Sequence, residues 1–173
     1  MLLTPPELTL GQVVPDWNLP DVRGRRHGLA QSLGPSGAVL TFIRGMFCPY
    51  CTEQLHQLRE GVARFLERGV QPLVIAAHGP EALAVQAALE DRIPILIDSD
   101  RRVIDAYGLR HDLINYAEFD YPTGALVHPT TALLDAERRL CWLHIGANYA
   151  DRPKLQTVLA QVDLLKQTSR PTD

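Results

Sequence analysis

AVLTFIRGMFCPYC, residues 38–51, is the stretch of this sequence that decides the fold. It opens with the continuous apolar run 38–43 and closes on two cysteines that are separated by two residues, Cys48 and Cys51. A helical pattern follows from Thr52. A strand that leads into a helix through C-x-x-C is a setting for a redox-active cysteine pair, so this order of residues predicts a strand–helix junction with a dithiol centre.

The residues behind the motif predict an amphipathic helix. Apolar side chains recur every three or four residues along one stripe, which consists of Cys48, Cys51, Leu55, Leu58, Val62 and Phe65. Polar residues, Gln54 among them, are expected on the other faces. Gly69 is the predicted end signal of this helix.

This placement predicts different roles for the two cysteines. A helix N-terminus stabilises a thiolate, because its free N–H groups and the macrodipole favour negative charge. We expect Cys48 to be the more exposed thiol, with a low pKa, and to act as the nucleophile. Cys51 heads the buried stripe and is the expected resolving thiol.

Three other interpretations of the pair are weaker. A zinc site needs two more ligands, but the only other cysteine is Cys141, and the six histidines form no H-x-x-x-H. A structural disulfide that spans four residues would constrain little chain entropy. The third interpretation is that the cysteines are ordinary core residues. It is credible for Cys51 alone, since free cysteine is often buried, but less so for a pair that encloses Pro-Tyr.

Composition narrows the class of protein. A chain of 173 residues fits one domain with a proper hydrophobic core, and a net charge of -3 gives no electrostatic case for nucleic acid or an anionic membrane. We see no apolar run of the length that spans a bilayer, and the first residues do not have the pattern of a signal peptide. Three cysteines do not make a secreted disulfide framework, so we expect a cytoplasmic protein.

Local patterns predict an α/β fold. An irregular N-terminal arm is expected at 1–12, one domain over 13–167 and a frayed tail at 168–173. Extended segments are predicted at 13–19, 38–43, 72–77, 93–97, 130–134 and 140–145, and helices at 29–33, from 52, from Pro80 to about 90, at 103–107 and from about 151. Strands that alternate with helices before a final hairpin and helix favour a central mixed sheet with helices on both faces.

The sequence resembles the thioredoxin-fold superfamily and, within it, the alkyl hydroperoxide reductase / thiol-specific antioxidant branch of peroxiredoxin-like proteins. The resemblance lies in an N-terminal strand signature at 11–21 with Gly24, an active-site segment at 42–49, a "D…YG" segment at 95–98 with 103–108, and a cis-proline segment at 128–131. It implies a thioredoxin-like fold and a thiol peroxidase with an antioxidant role, with no metal, flavin or nicotinamide bound to the chain.

The resemblance also implies a reaction cycle and partners. The Cys48 thiolate would attack a peroxide, Cys51 would close a disulfide, and a thioredoxin- or glutathione-type reductant would reopen it. A homodimer is a further expectation. The sequence departs from the peroxiredoxin pattern at Thr41, where proline is usual, and at Gly45, where threonine or serine is usual. With a CPYC pair like that of glutaredoxins, these departures leave two alternatives, a disulfide reductase and a non-enzymatic redox sensor or binding module.

Two basic residues are candidate supports for the Cys48 thiolate. Arg44 lies four residues before it, and a guanidinium there could stabilise the thiolate and orient a peroxide oxygen. The alternative for Arg44 is a salt-bridged arginine at the surface. In the superfamily, the loop that contains Pro129 and Thr130 lies against the C-x-x-C, which would bring His128 close to Cys48. The alternative for His128 is an exposed loop residue.

The remaining candidates have simpler expectations. Pro49 and Tyr50 lie within the motif, and Tyr50 is expected to form an apolar rim around Cys48 with Met46 and Phe47. Cys141, in a predicted strand, is expected to be a buried structural thiol, although a role as a distant resolving cysteine is conceivable. Both tryptophans are expected in the core. The long connection 111–126 is expected to wall the active site or to meet a partner subunit.

Overall fold

A computed structural model describes residues 8–79, 81–89, 92–110 and 127–168, and it contains seven strands and five helices in these ranges. The strands are β1 (Asn18–Pro20), β2 (Arg26–Gly28), β3 (Gly37–Ile43), β4 (Val70–Ala76), β5 (Ile95–Ile97), β6 (Thr130–Leu134) and β7 (Leu140–Ile145). The helices are α1 (Leu29–Ser32), α2 (Pro49–Glu67), α3 (Ala82–Ala88), α4 (Arg102–Ala106) and α5 (Leu155–Thr168).

β3 is the central strand of a mixed five-stranded sheet with the order β5-β4-β3-β6-β7. It pairs parallel to β4, which pairs parallel to β5, and antiparallel to β6, which forms a hairpin with β7. All seven residues of β3 are buried. A strand that is covered on both faces needs a continuous apolar run rather than an alternating one, and this is what 38–43 supplies. The predicted mixed sheet is confirmed.

Helices cover both faces of this sheet. Val39 and Ile43 of β3 point to a core that also contains the apolar stripes of α2 and α5. Leu40 and Phe42 point to a second core, which is completed by α1, α4 and the N-terminal segment. Side chains alternate between the faces of a strand, so one apolar run serves both cores.

α2 begins at Pro49, three residues earlier than the pattern indicated, with Cys48 as its N-cap. Proline suits the first helical position, because its fixed φ matches the helix and its missing N–H has no helical partner there. The helix ends before Gly69, which has a φ of +75° and donates its N–H to the carbonyl of Leu66. Gly69 therefore terminates the helix as predicted. Cys48 is fixed between the end of β3 and the start of α2.

Other elements differ in length from their predicted spans. The segment 13–19 contributes only the start of β1, and β2 pairs with it in a small separate hairpin that the sequence patterns did not indicate. Within the arm predicted at 1–12, Gly11 donates its N–H to Leu140 O, and Leu140 donates its own to Gln12 O, so the end of this arm is bonded to the edge of the sheet. Predictions for 1–7, for Pro80, for residue 90, for 111–126 and for 169–173 lie outside the described residues.

Cys141 is exposed, so the expected buried position is wrong. Leu134 of β6 is paired with Leu140, whereas Leu133 is paired with Trp142. Cys141 is therefore the extra residue of a β-bulge and has no partner on β6. A bulge breaks the alternation of side chains along a strand, and this one turns the thiol towards solvent. Within the described ranges, no helix combines the length and the apolar character that a membrane span requires.

Candidate active site

The loop between β3 and α2 is held in place by the neighbouring strand. The β3–β4 ladder continues beyond both strands, because Ala77 donates its N–H to Ile43 O and His78 donates its N–H to Arg44 O at 2.9 Å. The chain then turns, and the N–H of Cys51 donates to Cys48 O at 3.0 Å within the first turn of α2. Both cysteines are free thiols that lie one helical turn apart.

Neither Cys48 nor Cys51 reaches solvent, since each has an exposed fraction of 0%. The expectation that Cys48 is the more exposed thiol is wrong. Its side chain belongs to the core beneath α2, where Met46 is buried and Phe47 packs against the same cluster. Tyr50 is 48% exposed and lies at the surface of the molecule. A reagent must pass this apolar cover to reach the Cys48 sulfur.

Arg44 contacts the Cys48 sulfur directly. Its Nη2 donates a hydrogen bond to Sγ at 3.0 Å, and the residue is only 4% exposed. The guanidinium carbon lies 3.8 Å from the centroid of the Tyr149 ring and 5.5 Å from that of Phe47. A guanidinium is weakly hydrated and stacks well on aromatic faces, which makes this burial tolerable. The alternative of a surface arginine is therefore wrong for Arg44.

These contacts favour a thiolate at Cys48. The hydrogen bond from the Cys51 thiol, together with the hydrogen bond and charge of Arg44, outweighs the opposing effect of burial and lowers the pKa of Cys48 to about 5. The hydrogen bond to Cys48 and burial raise the pKa of Cys51, and the positive charge of Arg152 opposes that rise. In the reduced protein at neutral pH, Cys48 holds the negative charge and Cys51 holds the proton.

A second guanidinium lies at the other sulfur. In the loop between β7 and α5, Arg152 directs Nη2 to Cys51 Sγ at 3.4 Å and Nη1 to Gln54 Oε1 at 2.6 Å. Its Nε donates to the carbonyl of Tyr149 at 3.1 Å. Gln54 is buried and donates its amide to Thr131 Oγ1 at 3.2 Å. The guanidinium is thus fixed through three nitrogens.

The sequence interpretation missed Arg152, Tyr149 and Gln54. Gln54 was expected on a polar face, but it follows Cys51 by three residues and therefore lies on the same face of α2. A polar residue adjoining an apolar stripe was the signal that could have identified it. Arg152 and Tyr149 lie in an irregular loop about a hundred residues further along the chain, and no local pattern connects them to the cysteines.

The backbone explains one departure from the peroxiredoxin pattern. A Cβ at Gly45 would lie 3.0 Å from the carbonyl oxygen of His78 and 3.0 Å from the ring of Phe47. Threonine or serine would be crowded here, because the segments that contain Gly45 and His78 approach each other closely. The absence of the usual hydroxyl is a consequence of this close approach. Thr41 is buried in the sheet, opposite Thr131.

The other predicted residues are distributed around the motif and strand β6. Pro49 opens α2. His128 is buried rather than exposed, its N–H donates to Leu109 O, and its own carbonyl accepts a hydrogen bond from Thr130 Oγ1 at 2.9 Å. The peptide bond before Pro129 is trans, unlike the cis bond that the resemblance implied. The effect of His128 on Cys48 stays a prediction.

The sequence of this chain is similar to those of a known family of proteins. Residues 10–142 match the AhpC/TSA family. The chain belongs to this family. It is 32% identical over 139 residues to the thiol-disulfide oxidoreductase ResA of Halalkalibacterium halodurans, covering 79% of this chain and 68% of that protein. It is 28% identical over 134 residues to the peroxiredoxin Bcp of Escherichia coli, covering 77% of this chain and 83% of that protein.

Solved structures agree on the fold. The peroxidoxin BcpB of Mycobacterium tuberculosis superposes with a TM-score of 0.75 at 20% identity, over 95% of this chain and 100% of that one. At this identity the likeness concerns the fold alone. The family and the relatives in sequence are thiol-dependent enzymes, and this chain is a thiol-dependent oxidoreductase of the AhpC/TSA family. A non-enzymatic sensor or binding module is the less favoured alternative.

Proposed function

We propose that the protein reduces hydrogen peroxide or small organic hydroperoxides through a Cys48 thiolate and a Cys48–Cys51 disulfide. The observation that carries the proposal is the state of Cys48, whose sulfur is fully buried and accepts a hydrogen bond from Arg44 at 3.0 Å. A small, uncharged oxidant can reach such a sulfur through minor motions of its cover. A protein disulfide cannot align with it without a larger opening.

The electrostatics of the site suit attack on an O–O bond. The reacting species is the thiolate, and the lowered pKa of Cys48 keeps it ionised at neutral pH. Attack transfers one oxygen to sulfur and leaves an alkoxide or hydroxide, which takes up a proton as alcohol or water. Developing negative charge on the leaving oxygen is favoured beside a guanidinium, and Arg44 is the donor closest to Cys48. Arg44 supplies charge where the usual hydroxyl at position 45 is missing.

The second step closes the disulfide. Cys51 loses its proton and attacks the sulfenic acid of Cys48, which expels hydroxide and leaves the Cys48–Cys51 bond. One peroxide and two thiols thus give one disulfide, one alcohol and one water. The two cysteines lie within one helical turn, so the bond can form with little unfolding of α2.

The partners belong to the same proposal. An external dithiol of the thioredoxin type, or glutathione, would return Cys48 and Cys51 to thiols by disulfide exchange. Such donors are abundant in a reducing cytoplasm, where a vicinal cysteine pair is more often catalytic than structural. A homodimer, also expected, is measured by light scattering of the reduced and oxidised protein.

Peroxide kinetics test this function. The reduced protein is mixed with hydrogen peroxide in a stopped-flow instrument, and Cys48 oxidation is compared with that of a free thiol at the same pH. We expect oxidation more than about a hundred-fold faster than the free thiol, because full ionisation of Cys48 alone accounts for up to about that factor at pH 7 and Arg44 also stabilises the leaving oxygen. Cys51→Ser should accumulate a sulfenic acid that a dione reagent traps. A rate no faster than free thiol would refute the peroxidase.

A disulfide reductase is the second candidate. The similarity to ResA and the crowding at Gly45 favour it. In that reaction Cys48 attacks a substrate disulfide, and Cys51 releases the reduced substrate. Reduction of insulin or of a glutathione mixed disulfide, measured beside the peroxide reaction, distinguishes the two. In Cys51→Ser the trapped species would then be a mixed disulfide instead of a sulfenic acid.

A further inference from the structure

Arg152 has a contact that the attack of Cys48 on its substrate does not use. Its guanidinium points at the sulfur of Cys51, 3.4 Å away, whereas Arg44 occupies the position next to Cys48. Each sulfur thus has its own guanidinium, and the two come from different parts of the chain. This division matters because Cys51 must lose a proton before it can attack.

The orientation of Arg152 is built into the fold. Gln54 accepts from Nη1 at 2.6 Å and is itself buried and bonded to Thr131 on strand β6. The loop is fixed further by Asp151, whose carboxylate accepts the N–H of Ala147 at 2.8 Å. Gln54 is buried and keeps its partners, since an unpaired polar group there would be costly, and it holds the half-buried guanidinium of Arg152 in place. The charge therefore stays at Cys51 while Cys48 changes its oxidation state.

The resting site keeps Cys51 protonated. Its thiol donates to the Cys48 thiolate, and this hydrogen bond and burial raise the pKa of Cys51. Oxidation of Cys48 removes that negative charge, because sulfenic acid is neutral. The positive charge of Arg152 then acts on Cys51 without opposition from a neighbouring thiolate.

We propose that Arg152 is the catalytic residue of the resolving step, and that it stabilises the Cys51 thiolate that forms once Cys48 has been oxidised. This inference rests on the proposed function in one respect, the assignment of Cys51 as the resolving thiol. The Cys51 proton leaves to solvent, and its thiolate attacks the Cys48 sulfur. The leaving group, hydroxide from a sulfenic acid or a thiolate from a mixed disulfide, departs with the electron pair of the broken bond.

Rapid-quench mass spectrometry of the full chain tests the proposal with two reagents. Hydrogen peroxide forms the sulfenic acid on Cys48. Methyl methanethiosulfonate instead transfers a methylthio group to the Cys48 thiolate and releases methanesulfinate, so Cys51 can be observed resolving a small mixed disulfide without any peroxide. For each reagent, the formation and the decay of the Cys48 adduct are followed separately.

Arg152→Met should leave adduct formation within about two-fold of wild type. It should slow adduct decay by about ten- to a hundred-fold with both reagents, because a hydrogen bond to a charged group has that effect on the population of the thiolate. Arg152→Lys keeps the charge but loses the paired hydrogen bonds of the guanidinium, so the decay rate of its adduct should lie between those of wild type and Arg152→Met. Lys154→Met is the matched control, since it removes the same charge from an exposed position in the same loop and should change neither step.

The outcomes distinguish this proposal from the proposed function. Unchanged decay in Arg152→Met with both reagents overturns the role of Arg152. Equal slowing of formation and decay also overturns it, because the variant would then have disturbed the whole site. If the wild type ignores peroxide, but the decay of its methylthio adduct depends on Arg152, the peroxidase fails and the role of Arg152 stands.

Discussion

The Cys48 thiolate should depend on Arg44 by an amount that the structure allows us to estimate. Arg44 is buried and its Nη2 lies 3.0 Å from the sulfur, so the contact is a charge-assisted hydrogen bond that is little screened by water. Such a bond contributes about 1.5–3 kcal/mol. Each 1.4 kcal/mol corresponds to about one pH unit, so Arg44→Met should raise the pKa of Cys48 from about 5 by about one to two pH units.

The assay is the pH dependence of Cys48 alkylation by iodoacetamide, followed by mass spectrometry of the reduced protein. At pH 7 the variant should keep about 50–90% of its thiolate, and its alkylation rate should fall by no more than about half. At pH 5 it should lose about 80–98% of the wild-type rate, because most of its Cys48 is then protonated. Arg44→Lys should retain part of the effect, since it keeps the charge but not the planar fork.

Arg59→Met is the control, because Arg59 is an exposed arginine on the same helix. Thermal unfolding of each variant checks that the protein is folded. A titration midpoint in Arg44→Met equal to that of wild type would show that the hydrogen bond does not set the charge state of Cys48. The thiolate would then depend on Cys51 and on the start of α2.

Two further predictions concern stability. Gly45→Ala should lower the free energy of unfolding by about 1–3 kcal/mol, because its Cβ would press on the His78 carbonyl and the Phe47 ring, and urea unfolding measures it. The lowered pKa of Cys48, about 5 against an ordinary 9.0, should make the reduced protein more stable as pH rises through that interval, by up to about 1.4 kcal/mol per pH unit. This gain in stability is complete above pH 9 and lost as pH falls through 5. Cys48→Ala should therefore flatten the slope of the free energy of unfolding against pH, measured between about pH 5.5 and 7.5. A slope as steep as that of wild type would contradict the lowered pKa of Cys48.

The elements of the fold that depend on local pattern could be predicted. The hairpin strands β6 and β7 begin and end at the residues that the apolar runs at 130–134 and 140–145 indicated. The stripe of α2 and its termination at Gly69 follow from spacing and backbone conformation alone. These features depend on residues that are close in sequence, so a short stretch of the chain contains everything that determines them.

The features that depend on tertiary contacts could not be predicted. The burial of Cys48 comes from packing around Arg44 and Phe47, which an N-cap position does not indicate. The exposure of Cys141 comes from one extra residue in β7, whereas its place in a predicted strand indicates only burial. Arg152 reaches Cys51 across 101 positions of the chain, and its neighbours in sequence form no recognisable motif.

The long reach of Arg152 has a consequence for biosynthesis. During synthesis, Cys51 leaves the ribosome about a hundred residues before Arg152 does. Until the loop after β7 has been made and has docked, a growing chain contains the cysteine pair without the second guanidinium. The nascent protein therefore cannot use its complete dithiol centre, and the site reaches its full chemistry only after the loop that contains Arg152 has been made.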